Sequence, residues 1–392
     1  MTGSSFQRAL WDKYGIGLAC LDRIEPCFRR EIRLKGFSRK GKVRNKNRTH
    51  KNYRTLRVPR KKDNMFSRIV LVIALSFLFQ HYLPRLAEAA PSAKVVIIYA
   101  NLGERAVAQY VAEDQGFFRK HDLDVRLVYS GSGSTAMAAL AGGYAQIYLS
   151  SASGASLGAM AGGDVVFVAG LINKLTGAFV AAPEIKSPSE LRGKKIGVTS
   201  IAGGNWERTM LALDHWGLIP ERDGMVMRVI GNDSARAQAL ATRIIDGTLV
   251  DYAFSSALER QGYTILADLG KFAIPYQGIG VLTRRTFVSQ APEIVEKVLK
   301  AFLEAISFIR EPANKATVLR SLARGSRLTR VEDADGVYER MITLYDRRIY
   351  PNLGGIRNVI SLYSKNESIR RLKAEDIVDD RFVKKLEKEG LF

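Results

Sequence analysis

The chain has 392 residues, 46% of them hydrophobic and 25% charged, with a formal net charge of +21 and two cysteines. The length exceeds one small domain and suits two globular lobes, and the composition excludes a disordered polymer. A charge of +21 spread over a folded body would point to nucleic acid or an anionic membrane, but residues 1–64 hold 19 Lys and Arg against 5 Asp and Glu, while residues 65–392 hold 41 against 34.

The chain opens on the basic segment. It contains both cysteines, Cys20 and Cys27, and a dense basic run from Arg39 to Lys62 with no helical period. Beyond Met65, Phe66-Ser67-Arg68 leads into an uncharged apolar run of 11 residues, Ile69–Phe79. Pro84 then breaks the run, and Ala87-Glu88-Ala89 supplies small residues two apart. This is the pattern of a secretory signal peptide over residues 65–89. The apolar run is too short for a membrane span, which needs about 20 residues. Cleavage after Ala89 would leave 303 residues from Ala90, with no cysteine at the new terminus to carry a lipid anchor. The expectation is an exported, periplasmic or extracytoplasmic protein whose translation starts at Met65. Residues 1–64 would then be disordered or untranslated. A nucleic-acid-binding arm is the other reading of that segment, and it rests on basic charge alone.

From Val95 the chain alternates strands and helices. Strands are expected at Val95–Tyr99, Asp124–Tyr129, Ala145–Leu149 and Val165–Leu171. Helices fall between them at Ala106–Gln115, Ala136–Ala141 and Ala155–Met160, stopped by Gly116, Gly142-Gly143 and Gly162-Gly163. The order predicts a mostly parallel sheet covered by helices. A second unit follows. Ser187-Pro188-Ser189-Glu190 fits a capping box. Strands are expected at Lys195–Val198, Met225–Ile230 and Val250–Phe254, helices at Trp206–Trp216 and Ala235–Asp246, and a departing strand at Gly278–Leu282. Pro292–Arg310 then places Ile294, Val295, Val298, Leu299, Phe302, Ile306 and Ile309 on one helical face, a core-packing pattern. Nothing after Thr283 is expected to carry chemistry.

Open α/β sheets bind ligands beyond the carboxyl ends of their strands. Those ends are rich in hydroxyls and glycine here: Ser130–Thr135, Ser150–Ser153, Thr199–Asn205 and Ser255-Ser256. Each would place free N–H groups at a helix N-terminus, which favours anions. Ser, Thr and Asn are also ordinary helix caps, so any one loop is weak and the signal is their convergence. Neither the nucleotide P-loop nor the dinucleotide glycine pattern is present. Catalytic constellations are also missing. Residues 65–392 contain no cysteine, and beyond the leader the histidines are His121 and His215, without metal-ligand spacing. Asp122 and Asp124 read as an exposed turn.

The segment Gly116-Phe117-Phe118-Arg119-Lys120-His121-Asp122-Leu123-Asp124-Val125 resembles the GFF-K-x-GLDV signature of nitrate/sulfonate/taurine-type (NMT1/THI5-like) substrate-binding proteins of ABC importers. His121-Asp122 replaces the usual acidic residue and Gly. The resemblance continues through Gly131-Ser132-Gly133, Ala139–Gly143, Leu191–Val198 and Asp376–Val383.

It implies a type II periplasmic-binding-protein fold, an α/β architecture of two lobes joined by two crossing strands, with a helical C-terminal part. Lobe 1 would be residues 94–177 plus 284–392, lobe 2 residues 178–283, and the crossings Ala178–Ala182 and Gly278–Thr283. A non-enzymatic carrier is implied, monomeric, without cofactor, metal or catalytic residues. Its partners would be a small solute, an ABC permease and the permease's ATPase, with no nucleic acid. The ligand would lie between Asn101, Leu102, Ser132, Gly133 and Ser151 on one side and Thr199, Ser200, Ala202, Asn232 and Ser255 on the other. Trp206 or Tyr252 would stack on an organic part. No arginine is assigned to the cleft, so a neutral or zwitterionic solute stays open beside an anionic one. The alternative is an enzyme like the thiamine-pyrimidine synthases, which share the fold but use a cysteine-rich motif that residues 65–392 lack.

Overall fold

The computed structural model describes Ile73, residues 92–328, Val331 and residues 336–392. The basic segment 1–64 and all of the signal segment except Ile73 lie outside these residues. The chain divides into two compact units, Met1–Pro84 and Arg85–Phe392, and both sheets belong to the second.

The two five-stranded sheets share one plan. In the first, β1 (Ala93–Tyr99) lies between β2 (Leu123–Tyr129) and β3 (Ile147–Ser150), parallel to both. Then come β10 (Pro275–Arg284), antiparallel to its neighbours, and β4 (Val165–Lys174) at the edge. In the second, β6 (Lys195–Val198) lies between β7 (Val226–Val229) and β8 (Gly247–Val250), again parallel. Antiparallel β5 (Ala178–Ala181) and edge strand β9 (Thr264–Asp268) complete it. Each sheet therefore contains one reversed strand, and in each it is the strand that has just crossed from the other lobe. Residues 175–177 lead from β4 into β5, and residues 269–274 lead from β9 into β10. The amide of Leu269 donates to Gly177 O at 2.9 Å, so the two crossings are tied together.

Helices cover the sheets. On the first lie α1 (Val107–Asp114), α2 (Phe117–Lys120), α3 (Gly133–Ala141) and α4 (Gly154–Ala161). On the second lie α5 (Gly204–His215), α6 (Asp233–Ala241) and α7 (Tyr252–Arg260). The C-terminal part is helical: α8 (Arg285–Gln290), α9 (Pro292–Arg310), α10 (Lys315–Ser326), α11 (Tyr338–Leu344), α12 (Leu353–Leu362), α13 (Glu367–Arg370) and α14 (Arg381–Lys388). The face read from sequence on α9 is the buried one, and Phe302 meets Phe118 edge-to-face at 5.6 Å. Among the described residues no helix is long and apolar enough to cross a membrane.

Several sequence expectations shift. Val250–Phe254 reads as a strand because of its Val, Tyr and Phe, but β8 ends at Val250 and Tyr252 starts α7. The helical spacing of buried Tyr252, Ala253, Ser255 and Leu258 decides the outcome. The helix expected over Ala235–Asp246 stops at Ala241, before Arg243 takes a φ of 62°. Ser187–Glu190 opens a short 3₁₀ turn without a reciprocal capping box. There the Glu190 carboxylate accepts from the Lys186 amide at 2.8 Å and from Ser187 Oγ at 3.1 Å. Strand β9 carries no expectation at all.

Candidate functional site

Strands of both sheets end facing one cleft. The residues just beyond β1, β3 and β6 line it: Ala100, Asn101 and Leu102, Ser151, and Thr199 and Ser200. Gly133 at the start of α3 and Gly203, Gly204 and Asn205 at the start of α5 bring helix N-termini to it. Gly204 approaches the opposing lobe closely, and a Cβ there would displace the Ser151 hydroxyl. The cavity volume is about 50 Å³. At 10–15 Å³ per water-sized group this holds roughly four such groups.

The structure places the expected residues in two sets. Asn101, Leu102, Gly133, Ser151, Thr199, Ser200 and Asn232 all line this cavity. Ser132, Ala202, Trp206, Tyr252 and Ser255 are not among its lining residues. Ser132 caps α3 through the Thr135 amide. Ala202 O accepts from the Ala155 amide at 3.0 Å. Trp206 packs against Tyr363 with ring centres 6.0 Å apart. Tyr252 donates its hydroxyl to Asp268 and stacks under the Arg340 guanidinium at 4.3 Å, facing a separate cavity beside the crossings. Ser255 lies inside α7 and donates to Tyr252 O at 3.1 Å.

Sequence reasoning missed the charges. Arg105, Arg208, Asp233 and Arg236 also line the cavity. Arg105 Nε bonds Asp251 Oδ1 at 2.9 Å across the lobe boundary, and Arg208 Nη1 reaches the same oxygen at 3.4 Å. Arg208 Nη1 also donates to Thr176 O in the first crossing at 2.7 Å. Arg236 pairs with Asp233 at 3.0 Å and donates to Thr248 Oγ1, Thr199 Oγ1 and Leu249 O. Asp251 is fully buried. Against the penalty of burial, Arg105 and Arg208 hold its carboxyl below the usual range. Three arginines thus face two aspartates. Nearby, burial and then Asp251 push the Glu104 carboxyl above its usual range.

Several polar atoms here have no partner. Asn101 Nδ2 and Ser200 Oγ are buried without a hydrogen bond. Among the described residues Arg105 donates only through Nε, which leaves both terminal nitrogens unused. Burying donors without acceptors is costly. The aspartate pairs hold the guanidinium groups in place, while amide, hydroxyl and guanidinium donors wait for an acceptor. Among the described residues no group of three His, Cys, Asp or Glu could hold a metal ion.

A family model described as NMT1/THI5 like matches residues 105–316. The chain belongs to the NMT1/THI5-like family. Curated proteins provide no sequence match. Solved structures provide many. A protein from Bordetella bronchiseptica RB50 superposes with a TM-score of 0.66 at 19% identity, covering 76% of this chain and 98% of its own. The alkanesulfonate-binding protein of Xanthomonas axonopodis pv. citri, bound to MOPS, gives 0.61 at 19% identity, covering 74% and 100%. The periplasmic nitrate-binding protein of Synechocystis PCC 6803 gives 0.61 at 13% identity, covering 76% and 89%. These likenesses establish the periplasmic-binding-protein fold for this NMT1/THI5-like chain.

Proposed function

We propose that the protein is an exported solute-binding protein that captures a singly charged oxyanion, or the oxyanion head of a small organic solute, between its lobes and passes it to an ABC-type importer. The carrying observation is the set of three arginines, Arg105, Arg208 and Arg236, lining the cavity beside unpartnered donors on Asn101, Arg105 and Ser200. The cavity has room for roughly four water-sized groups, which suits a head of one central atom and three oxygens. Solved relatives in fold that bind alkanesulfonate or nitrate support this reading. In the carrier, lobe 1 comprises residues 94–177 and 284–392, and lobe 2 residues 178–283 apart from β10, which pairs in the first sheet. Ser132, Ala202 and Trp206 would border the mouth. The leader at residues 65–89 would direct export, and the carrier would act as a monomer. A synthase-like enzyme is less well supported, because His121 pairs with Glu304 at 2.8 Å and His215 stacks on Phe272 at 4.2 Å, and neither lines the cavity.

Isothermal titration of the purified protein with nitrate, ethanesulfonate, taurine and the neutral ethanesulfonamide tests this. At least one monoanion is expected to saturate the site, with the neutral analogue at least about 100-fold weaker, as for loss of a charged hydrogen-bonding partner. Arg105→Met is expected to weaken the monoanion by about 10²–10³-fold. Binding of ethanesulfonamide as tight as that of ethanesulfonate would overturn the charge argument.

A further inference from the structure

Two buried glutamates cross the lobe boundary in opposite directions. Glu104, on the first lobe just after β1, accepts from the amides of Tyr252 at 2.6 Å and Ala253 at 3.5 Å, the first two residues of α7 in the second lobe. Helix α7 needs this because Asp251, at its N-cap, makes no side-chain cap and is turned to the arginines instead. Glu207, on α5 of the second lobe, accepts from the amide of Gly154, the first residue of α4 in the first lobe, at 2.8 Å. Tyr363, just after α12, donates to the same oxygen. Both glutamates are fully buried, and Glu207 Oε2 has no partner. Each lobe thus completes a helix N-terminus of the other.

We propose that Glu104 and Glu207 are reciprocal latches that hold the lobes together, and that latching takes up protons. Opening would return both carboxyls to water and leave the helix ends of α4 and α7 to be solvated.

The surroundings set the direction. Glu104 faces Asp251 and Arg105, with the amides of α7 and the hydroxyl of Tyr345 nearby. Burial, then Asp251, raises its carboxyl to about 8. Glu207 faces Tyr363 and Arg208, with Tyr148 and Tyr276 beside it. Burial raises its carboxyl to about 7. An open lobe returns each to the ordinary carboxyl range near 4.3. Closure is then most favourable at acid pH and weakens as pH rises, by up to tenfold per pH unit per latch, until the closed-state values are passed.

The test uses the full chain with Cys20→Ser and Cys27→Ser, and spin labels at Ala138→Cys on α3 and Gln238→Cys on α6, both exposed. Distances are measured by pulsed electron resonance without added solute. The ratio of short- to long-distance populations is expected to fall at least about tenfold between pH 6 and pH 9. E104Q/E207Q, which keeps one acceptor oxygen at each latch but not the charge, is expected to stay short at both. E104A/E207A is expected to show the long distance already at pH 6. A wild-type distance that does not change with pH overturns the proposal, and so does a glutamine variant that responds as wild type does. Neither outcome depends on the identity of the solute.

Discussion

Asp251→Ala is expected to lower the midpoint of thermal unfolding by roughly 10 °C. The carboxylate is fully buried and shared by Arg105 and Arg208. Removing it leaves two buried guanidinium groups without their counter-ion, which costs about 3–5 kcal/mol. In a chain of this size each kcal/mol moves the midpoint by about 2–4 °C. The excess positive charge should also make the variant respond to anions, so that molar chloride restores part of the loss. Asp251→Asn, which keeps the shape and accepts one hydrogen bond, should lose less. Calorimetry at pH 7 with and without salt measures all three. A midpoint within about 2 °C of wild type would show that the arginines find other partners.

Stability against pH depends on the same cluster, with two opposite signs. Asp251 is held below its ordinary range, so its contribution is present above about 4 and is lost as pH falls through the lower folded-state value. Glu104 is raised to about 8. Its unfolded form is already ionised near 5, so folding takes up a proton and stability declines as pH rises toward 8. The decline has an upper limit of about 1.4 kcal/mol per pH unit. The protein is therefore expected to be more stable at pH 6 than at pH 8, and Glu104→Gln should flatten that slope in denaturant titrations.

The sequence made some of this legible. Gly116, with a φ of 72°, marks a turn that only glycine takes easily, and the period of α9 exposes its buried face. The hydroxyl-rich loops after β2, β3 and β6 could be found because ligand sites in open sheets sit at strand ends. The charges could not. Glu207 and Arg208 lie one turn into α5 and read as ordinary polar helix residues. Arg105 meets Asp251 across 146 positions of sequence, so the pair exists only once the first crossing has brought the two lobes together. Tyr252, expected in a strand, and Ser255, expected just beyond it, lie in α7 for a local reason: a run of Val, Tyr and Phe suits a strand, and a buried helical face outweighs it.

Gly355→Ala should be more damaging than any surface change, and its cause is backbone, not side chain. A Cβ at Gly355 would stand 2.3 Å from Tyr276 C and 2.4 Å from Gln277 N, both on β10. No rotamer can relieve a contact with main chain. Either α12 lifts or β10 shifts, at a cost of about 3 kcal/mol or more. Strand β10 also positions the cleft: Tyr276 donates to Gly204 O at 3.3 Å, and Gln277 O accepts from the Ala152 amide at 3.0 Å. A shift there should weaken solute binding as well as folding. Gly158→Ala supplies the contrast. It lies exposed within α4 with nothing within 4 Å of a new Cβ, so it should gain about 0.5–1 kcal/mol from reduced freedom of the unfolded chain. Urea unfolding of both variants compares them directly. If Gly355→Ala matched wild type while Gly158→Ala behaved as expected, α12 would have to rest on β10 more loosely than the structure shows, and β10 could not be the rigid floor on which the cleft depends.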